Sequence, residues 1–383
     1  MRRYRLLVRG KRAGAVAFAL TALLLAGAGP ASAATLKVCP SGCPFSTIAA
    51  ALAAAADGDT IKIAAGTYAG GFTIAKNVSL RGAGAGLTTI SGGGPVVAVA
   101  FGVSVKIERV TVTGGFAGFG GGIVNGGGTL TLEESTVSGN TAGGGGGIGN
   151  GGTLTLRKST VSGNSATFGG GIFNNSGTLT LEESTVSGNT ATDGGGGIWN
   201  HFDSTLTLEE STVSNNTGGL GGGIRNVTGT VTVSESTVSG NTATRSGGGV
   251  FNETGGTVTL KESTVSGNTA TVSGGGISNT GTLTLDESTV TNNTSGERGG
   301  GIANAGTLTL IRSTVQGNST GTIGGGILNT VFGTLTGTVT LTESTVTKNS
   351  AGTDGGGIYN DGGSVTLSNS KVIKNNPNDC VNC

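Results

Sequence analysis

STVSGNSATFGGGIFNNSGTLTLEE, residues 159–183, is one period of a pattern that returns through most of the chain. Its opening Ser-Thr-Val begins also at Ser135, Ser184, Ser211, Ser236, Ser263, Ser288, Ser313 and Ser344, with a degenerate copy at Ser370, at intervals of 24 to 31 residues. A recurring period of this length marks a repeat architecture, in which each unit buries its apolar side only against its neighbours. The period holds three segments: Ser-Thr-Val, then Gly-Gly-Gly-Ile-x-Asn, then Thr-Leu-Thr-Leu. The last alternates with period two and none is long enough for a helix, so all three are predicted to be strands. Leu, Val and Ile hardly vary from copy to copy while their neighbours do, which places them inside. Three strands per turn of about 25 residues predict an all-β chain wound as a single parallel β-helix. Coils about 4.8 Å apart, ten of them full, give a rod of roughly 50 Å.

Composition excludes the other readings of a glycine-rich chain. The 383 residues include 79 Gly but only 5 Pro, with 11% charged and 4% aromatic residues. There is no Gly-X-Y period, so collagen is excluded, and a formal charge of +1 does not drive disorder. At the start, Arg2, Arg3, Arg5, Arg9, Lys11 and Arg12 precede an apolar run, Ala13 to Ala28, and a small-residue site, Ala31-Ser32-Ala33. Residues 1–33 therefore read as a signal peptide, which predicts export to the extracellular space or cell surface, with no transmembrane segment in the mature chain. Cleavage there leaves 16 basic against 21 acidic residues, so no nucleic-acid partner is expected.

Within the mature chain, residues 34–64 are expected to form an N-terminal cap, 65–378 the solenoid and 379–383 a C-terminal cap. A short helix with Ser46 as its N-cap, halted at Asp57-Gly58, is expected to cover the first coil. The glycine triplets suit a corner with unusual dihedrals and close coil-to-coil approach. Asn140, Asn164, Asn189, Asn216, Asn241 and Asn268 form one column in which amides can hydrogen-bond between coils. The four cysteines lie at the two extremes, Cys39 with Cys43 and Cys380 with Cys383. A zinc site using all four would need both ends of the rod to meet, so two local disulfides fit better with export.

Val137 to Asn140 followed by Gly145 to Ile148 resembles the repeat pair of polymorphic outer membrane proteins. More widely, the chain is similar to the right-handed parallel β-helix proteins of the pectin-lyase-like superfamily. The opening from Phe45-Ser46-Thr47-Ile48 through Gly58-Asp59-Thr60-Ile61 to Ala65-Gly66-Thr67-Tyr68 resembles the usual start of such secreted proteins. The right hand of the coil is what this resemblance implies. So is an association with polysaccharides, since enzymes of the superfamily cut acidic ones with an Arg or Lys base beside carboxylates, or with paired Asp/Glu.

Candidate functional residues fall into four groups. The variable x of Gly-Gly-Gly-Ile-x-Asn reads Phe173, Trp199, Arg225 and Phe251 in successive coils, an outward stripe that can stack on sugars or simply pack from coil to coil. His201 and Asp203 are weak candidates for an acid and base pair, and Arg225 for the base of a lyase. Glu183, Glu210, Glu235, Glu262 and Glu287 precede successive Ser-Thr-Val strands and are weak calcium candidates, against the alternative of a solvated corner stripe. Thr-x-Thr pairs from Thr129/Thr131 to Thr338/Thr340 make a regular face that looks like that of ice-binding solenoids, although threonine is also an ordinary strand residue. The combined expectation is a secreted monomer that binds extracellular polysaccharide or cell-surface glycan, with no obligatory cofactor. A polysaccharide lyase or hydrolase is the alternative and an ice-binding protein the second.

Overall fold

The computed structural model describes residues 33–383. The signal peptide expected over 1–33 lies, but for its last residue, outside the described residues. From Thr35 onward the chain climbs in about 14 turns of a parallel solenoid, and the Thr-Leu-Thr-Leu strands stack as one 14-stranded sheet from Thr35–Val38 to Ser364–Ser368. Pairing is in register along the repeats: Leu154 stands beside Leu179, and Leu179 beside Leu206. The Thr-Val-Ser strands form a second sheet of 13 strands, and the Ile-x-Asn side builds another of 13 stacked strands with one antiparallel hairpin strand beside it.

Through the repeats a coil has four strands, which corrects the three-strand coil expected from sequence. The extra sheet has ten strands, from five residues at Thr242–Ser246 down to two at Thr190–Ala191. Its cause lies in the column asparagine, whose carbonyl accepts the next coil's Thr N–H, as in Thr190 to Asn164 at 2.9 Å. A small alanine, Ala166 or Ala191, then turns inward.

Inside the coil, Leu179, Leu181, Val186 and Ile198 have no exposed surface, and their counterparts are likewise buried along the repeats until the last coil, where Leu367 is exposed. Each such side chain contributes roughly 1.5–3 kcal/mol of hydrophobic stabilisation. Three polar ladders run beside this apolar column. In the first, each asparagine donates its side-chain amide to the next, Asn140 to Asn164, Asn164 to Asn189 and Asn189 to Asn216, all at 3.0 Å. A second asparagine ladder follows the Ile-x-Asn strands, Asn150 to Asn174 at 2.7 Å and Asn174 to Asn200 at 2.8 Å. Serines supply the third, the backbone N–H of Ser159 donating to Ser184 Oγ at 3.1 Å. Buried amides and hydroxyls are thereby paired within the coil stack.

The corners carry the strain. Gly169 opens its triplet at φ +62°, and a Cβ on Gly171 would sit 2.7 Å from the Gly197 carbonyl oxygen of the next coil. The residue before each Ser-Thr-Val is also left-handed, at φ +48° for Glu183 and +47° for Glu210, although neither is a glycine. Such a conformation costs an L-residue about 1–2 kcal/mol.

The expected cap at 34–64 is part of the solenoid, because Thr35–Val38 already pairs with Thr60–Ile63 in the first sheet. Helix α1, Ile48–Ala54, presses Ile48, Ala51 and Leu52 inward. Its N-cap is Thr47, not Ser46: Thr47 Oγ1 accepts the Ala50 N–H at 3.2 Å, three residues on, which Ser46 is one residue too early to reach. Lys76 Nζ closes the other end on the carbonyls of Leu52 and Ala53 at 3.2 and 3.0 Å. At the far end Cys380–Val381 pairs with Ile358–Tyr359, so residues 379–383 continue a sheet. Asp379 takes the place of a further asparagine, accepting the Asn375 amide at 3.0 Å. The two expected local disulfides, Cys39 with Cys43 and Cys380 with Cys383, are present.

Candidate functional site

The outward positions of the Ile-x-Asn strands decide where a ligand can lie. Trp199 does not stand out from the rod: it is 8% exposed, so of the two readings of the stripe this position takes the coil-to-coil packing one. The glycines before it are the reason. A Cβ on Gly194 would fall 2.8 Å from Trp199 Cε3, so only a glycine there lets the indole lie down on the neighbouring backbone. Phe173 stacks on it at 4.9 Å between ring centroids, Phe168 packs at 4.7 Å, and the Arg225 guanidinium lies over its ring at 4.8 Å. Phe119 extends the column with an edge contact to Phe173 at 5.7 Å. Cross-coil packing therefore uses up Phe173 and Trp199, and a cation over an indole strengthens it. Trp199 Nε1 is the one buried side-chain polar atom without a hydrogen-bond partner among the described residues.

Beyond Arg225 the column changes character. Arg225, Phe251, Ser278, Ala303 and Leu328 are in register on five successive coils. They form the floor of a groove of about 680 Å³. One wall comes from the turn before the glycine triplets and carries Leu220, Arg245, Val272 and Arg298. The other wall contains Glu253, Thr280 and Ala305 and ends in an inserted hairpin, Ile327–Phe332 paired antiparallel with Leu335–Thr336. That hairpin presents Val331 and Phe332 to solvent, Phe332 at 68% exposure. Arg225 is fixed by Glu253, with Nε 2.7 Å and Nη2 2.6 Å from the same carboxylate oxygen. Arg245 pairs with Asp193 at 2.5 Å and Arg298 with Glu297 at 3.8 Å, both exposed. Aromatic and aliphatic faces with guanidinium groups between them can take the apolar faces and the polar substituents of one elongated ligand.

The other candidates are placed differently. His201 and Asp203 do not pair: His201 Nδ1 faces Asn175 Oδ1 at 3.4 Å, and the Asp203 backbone N–H reaches Thr228. Burial, then the nearby Arg225 charge, lowers the His201 pKa below its ordinary value of 6.5, while Glu253 opposes. Arg225, proposed as a base, has its donors on Glu253 and its plane on Trp199. Glu183, Glu210, Glu235, Glu262 and Glu287 stand one per coil at left-handed corners. Glu183 faces Lys158 at 3.5 Å and Glu287 faces Arg312 at 2.8 Å. Among the described residues no three His, Cys, Asp or Glu side chains converge. The Thr-x-Thr pairs lie in register on the outer face of the first sheet, as Thr178 beside Thr205 and Thr180 beside Thr207. Arg245, Arg298 and Phe332 escaped the sequence reading. For Phe332 the signal was present in the 31-residue interval between Ser313 and Ser344, the longest of the series; the two arginines had none.

Comparison with known proteins agrees with the architecture. The family described as the right handed beta helix region matches residues 64–232 and 172–336, and the Chlamydia polymorphic membrane protein repeat matches residues 343–361. No curated protein matches the sequence. Among solved structures, a pectate lyase is 15% identical over 89% of this chain and 78% of its own, with a TM-score of 0.43. The A-module of a mannuronan C-5 epimerase from Azotobacter vinelandii is 16% identical over 86% and 94%, at 0.42. The catalytic unit of an alpha-1,3-glucanase from Streptomyces thermodiastaticus is 15% identical over 90% and 69%, at 0.42. At these scores the three likenesses carry no argument about what this chain does. The family match, covering most of the repeats that build the groove, establishes that the chain belongs to the right-handed β-helix family.

Proposed function

We propose that this protein is an extracellular, monomeric β-solenoid that binds an extended carbohydrate chain along its groove. The carrying observation is the groove itself: five coils in register, floored by Phe251 and Leu328, with Phe332 as an exposed aromatic at one end and Arg225, Arg245 and Arg298 along it. An elongated, shallow site suits a polymer, and aromatic faces beside guanidinium donors suit sugar rings. Export is part of the proposal and is supported by the two disulfides, which persist in oxidising compartments. No helix among the described residues is long and apolar enough to cross a membrane.

The test is affinity electrophoresis of the purified protein on a panel of acidic and neutral polysaccharides, with unsaturated products and reducing ends followed in parallel. Retention on a polymer, weakened by Phe251→Ala and Phe332→Ala, is the expected result. Turnover of any polymer transfers the protein to the polysaccharide-cleaving alternative, and retention on none refutes the reading.

A further inference from the structure

Strand pairing sorts the groove into rungs. On the wall before the glycine triplets, Ser246, Ser273 and Arg298 stand opposite one another on successive coils. The floor positions on those same coils are Phe251, Ser278 and Ala303, and Leu328 follows on the next. Two small floor residues therefore lie between two large ones, which leaves a pit two rungs long, roughly 10 Å. Ser278 and Ala303 are only 7% and 8% exposed, so the pit admits a substituent and not a whole sugar ring.

The polar groups around the pit are unequally engaged. Ser273 Oγ is bonded to Ser246 Oγ at 3.0 Å, and Thr280 Oγ1 donates to the Asn252 carbonyl at 3.2 Å. Ser278 Oγ has no hydrogen-bond partner among the described residues, yet Trp199 Nε1 is the one such atom cut off from solvent. The Ser278 hydroxyl thus opens into the groove that it lines. Each guanidinium of the groove already has a carboxylate: Arg225 on Glu253, Arg245 on Asp193 and Arg298 beside Glu297. Three cations matched by three carboxylates leave no net field to draw in a polyanion.

From the pit and this charge balance we propose that the groove recognises an uncharged glycan bearing acetamido groups, one of which enters the pit. The proposal rests on the carbohydrate-binding reading and specifies its ligand. The Ser278 hydroxyl donates to the acetamido carbonyl oxygen, the methyl lies against Ala303 and Leu328, and the sugar ring rests on Phe251. A bare hydroxyl in the same place would meet Ser278 but leave the apolar side of the pit uncovered.

The test measures dissociation constants by calorimetry for three hexamers: N-acetylglucosamine, a cellulose fragment of the same linkage with a hydroxyl in place of each acetamido group, and galacturonate, charged on every unit. The expected result is a preference of about tenfold or more for the N-acetylglucosamine hexamer, with little dependence on salt. Ser278→Ala removes the donor and is expected to weaken that binding by about three- to tenfold. Ala303→Leu fills the pit and is expected to bring the N-acetylglucosamine hexamer down to the affinity of the cellulose one. A leucine already stands at this position one coil on, as Leu328, so the coil accommodates the change. Equal affinity of wild type for the two neutral hexamers, tightest binding of galacturonate, or an unchanged preference in Ala303→Leu overturns the acetamido pit while the carbohydrate reading stands. Binding of none also overturns the pit, and retention on the polysaccharide panel then decides the carbohydrate reading by itself. Far-ultraviolet circular dichroism of each variant separates lost recognition from lost fold.

Discussion

Removing one rung of the first asparagine ladder tests what holds the coils in register. Asn216 has no exposed surface. Its amide donates to the Val186 carbonyl and to Asn241 Oδ1, both at 3.0 Å, and its Oδ1 accepts the backbone N–H and the side-chain amide of Asn189 at 2.9 and 3.0 Å. Asn216→Ala removes all four bonds. Asn241 Oδ1 keeps the backbone N–H of residue 216 and the Asn189 amide keeps the Val161 carbonyl, each at 3.0 Å. The Asn189 backbone N–H is the buried donor that loses its partner. Three bonds at about 1 kcal/mol each and one stranded donor at about 1–3 kcal/mol give a loss of roughly 4–6 kcal/mol. In a solenoid such damage is felt first by adjacent coils. Urea unfolding should become biphasic, and amide exchange should accelerate at residues 186–191 and 239–243 before it does at either end. Asn375→Ala is the end-of-ladder comparison: it likewise releases the Asn349 backbone N–H and amide, held at 2.9 and 3.0 Å, but Asn375 is part-exposed and water can replace the lost partners, so a smaller loss of about 1–3 kcal/mol is expected. Equal losses for the two variants, or less than about 1.5 kcal/mol for Asn216→Ala, would refute the ladder as a main source of register.

Three further outcomes follow from the corners and the aromatic cluster. Gly171→Ala drives a Cβ against the Gly197 carbonyl and Asn189 and should cost about 1–3 kcal/mol. Gly163→Ala meets open space at φ +62° and should cost only about 1 kcal/mol, both read from urea midpoints. Glu210→Gly relieves an αL residue at φ +47°, a gain of about 1–2 kcal/mol offset by about 0.5–1 kcal/mol of backbone entropy, so thermal unfolding should show a small net stabilisation. The His201 pKa is lowered from 6.5, so the unfolded chain takes up that proton first: the contribution is whole above pH 6.5 and declines as pH falls below it. Trp199, the sole tryptophan, lies 4.9 Å from the His201 ring; its fluorescence should titrate with a midpoint below 6.5, and His201→Gln should abolish the transition.

The repeat made most of the fold legible. Alternation in Thr178 to Leu181 and the constant Val186 and Ile198 are local patterns, and stacking like on like repeats them along the rod. Thr190–Ala191 was not legible as a strand because two residues hold no period. The αL corners were not legible either: Glu183 and Glu210 are not residues that favour positive φ, and only the closure of the coil imposes it. The burial of Trp199 was not legible for a related reason. Outward in a strand normally means exposed, but a glycine-lined shelf lets a large ring fold back onto the rod.

The groove was the least legible part, and its composition explains the failure. In a repeat protein the shared positions satisfy coil stacking, which every rung demands equally, so they report on the fold and little else. A ligand meets only the positions that stacking leaves free, and there Arg245, Val272, Arg298 and Phe332 depart from their own repeat. Each departure is unremarkable in sequence: arginine at a turn is a solvated charge, and a phenylalanine in an insertion is one exposed apolar residue. They acquire meaning through coil order, which backbone pairing fixes and linear distance hides, since Arg245 and Arg298 are 53 residues apart in the chain yet only two coils apart, Arg298 opposite Ser273 and Ser273 opposite Ser246. Substitutions at these departures should alter binding and leave unfolding almost unchanged. Substitutions at Asn216 or Gly171 should do the reverse until the groove itself unravels, and urea melts set beside probe affinities for both sets of variants measure that separation.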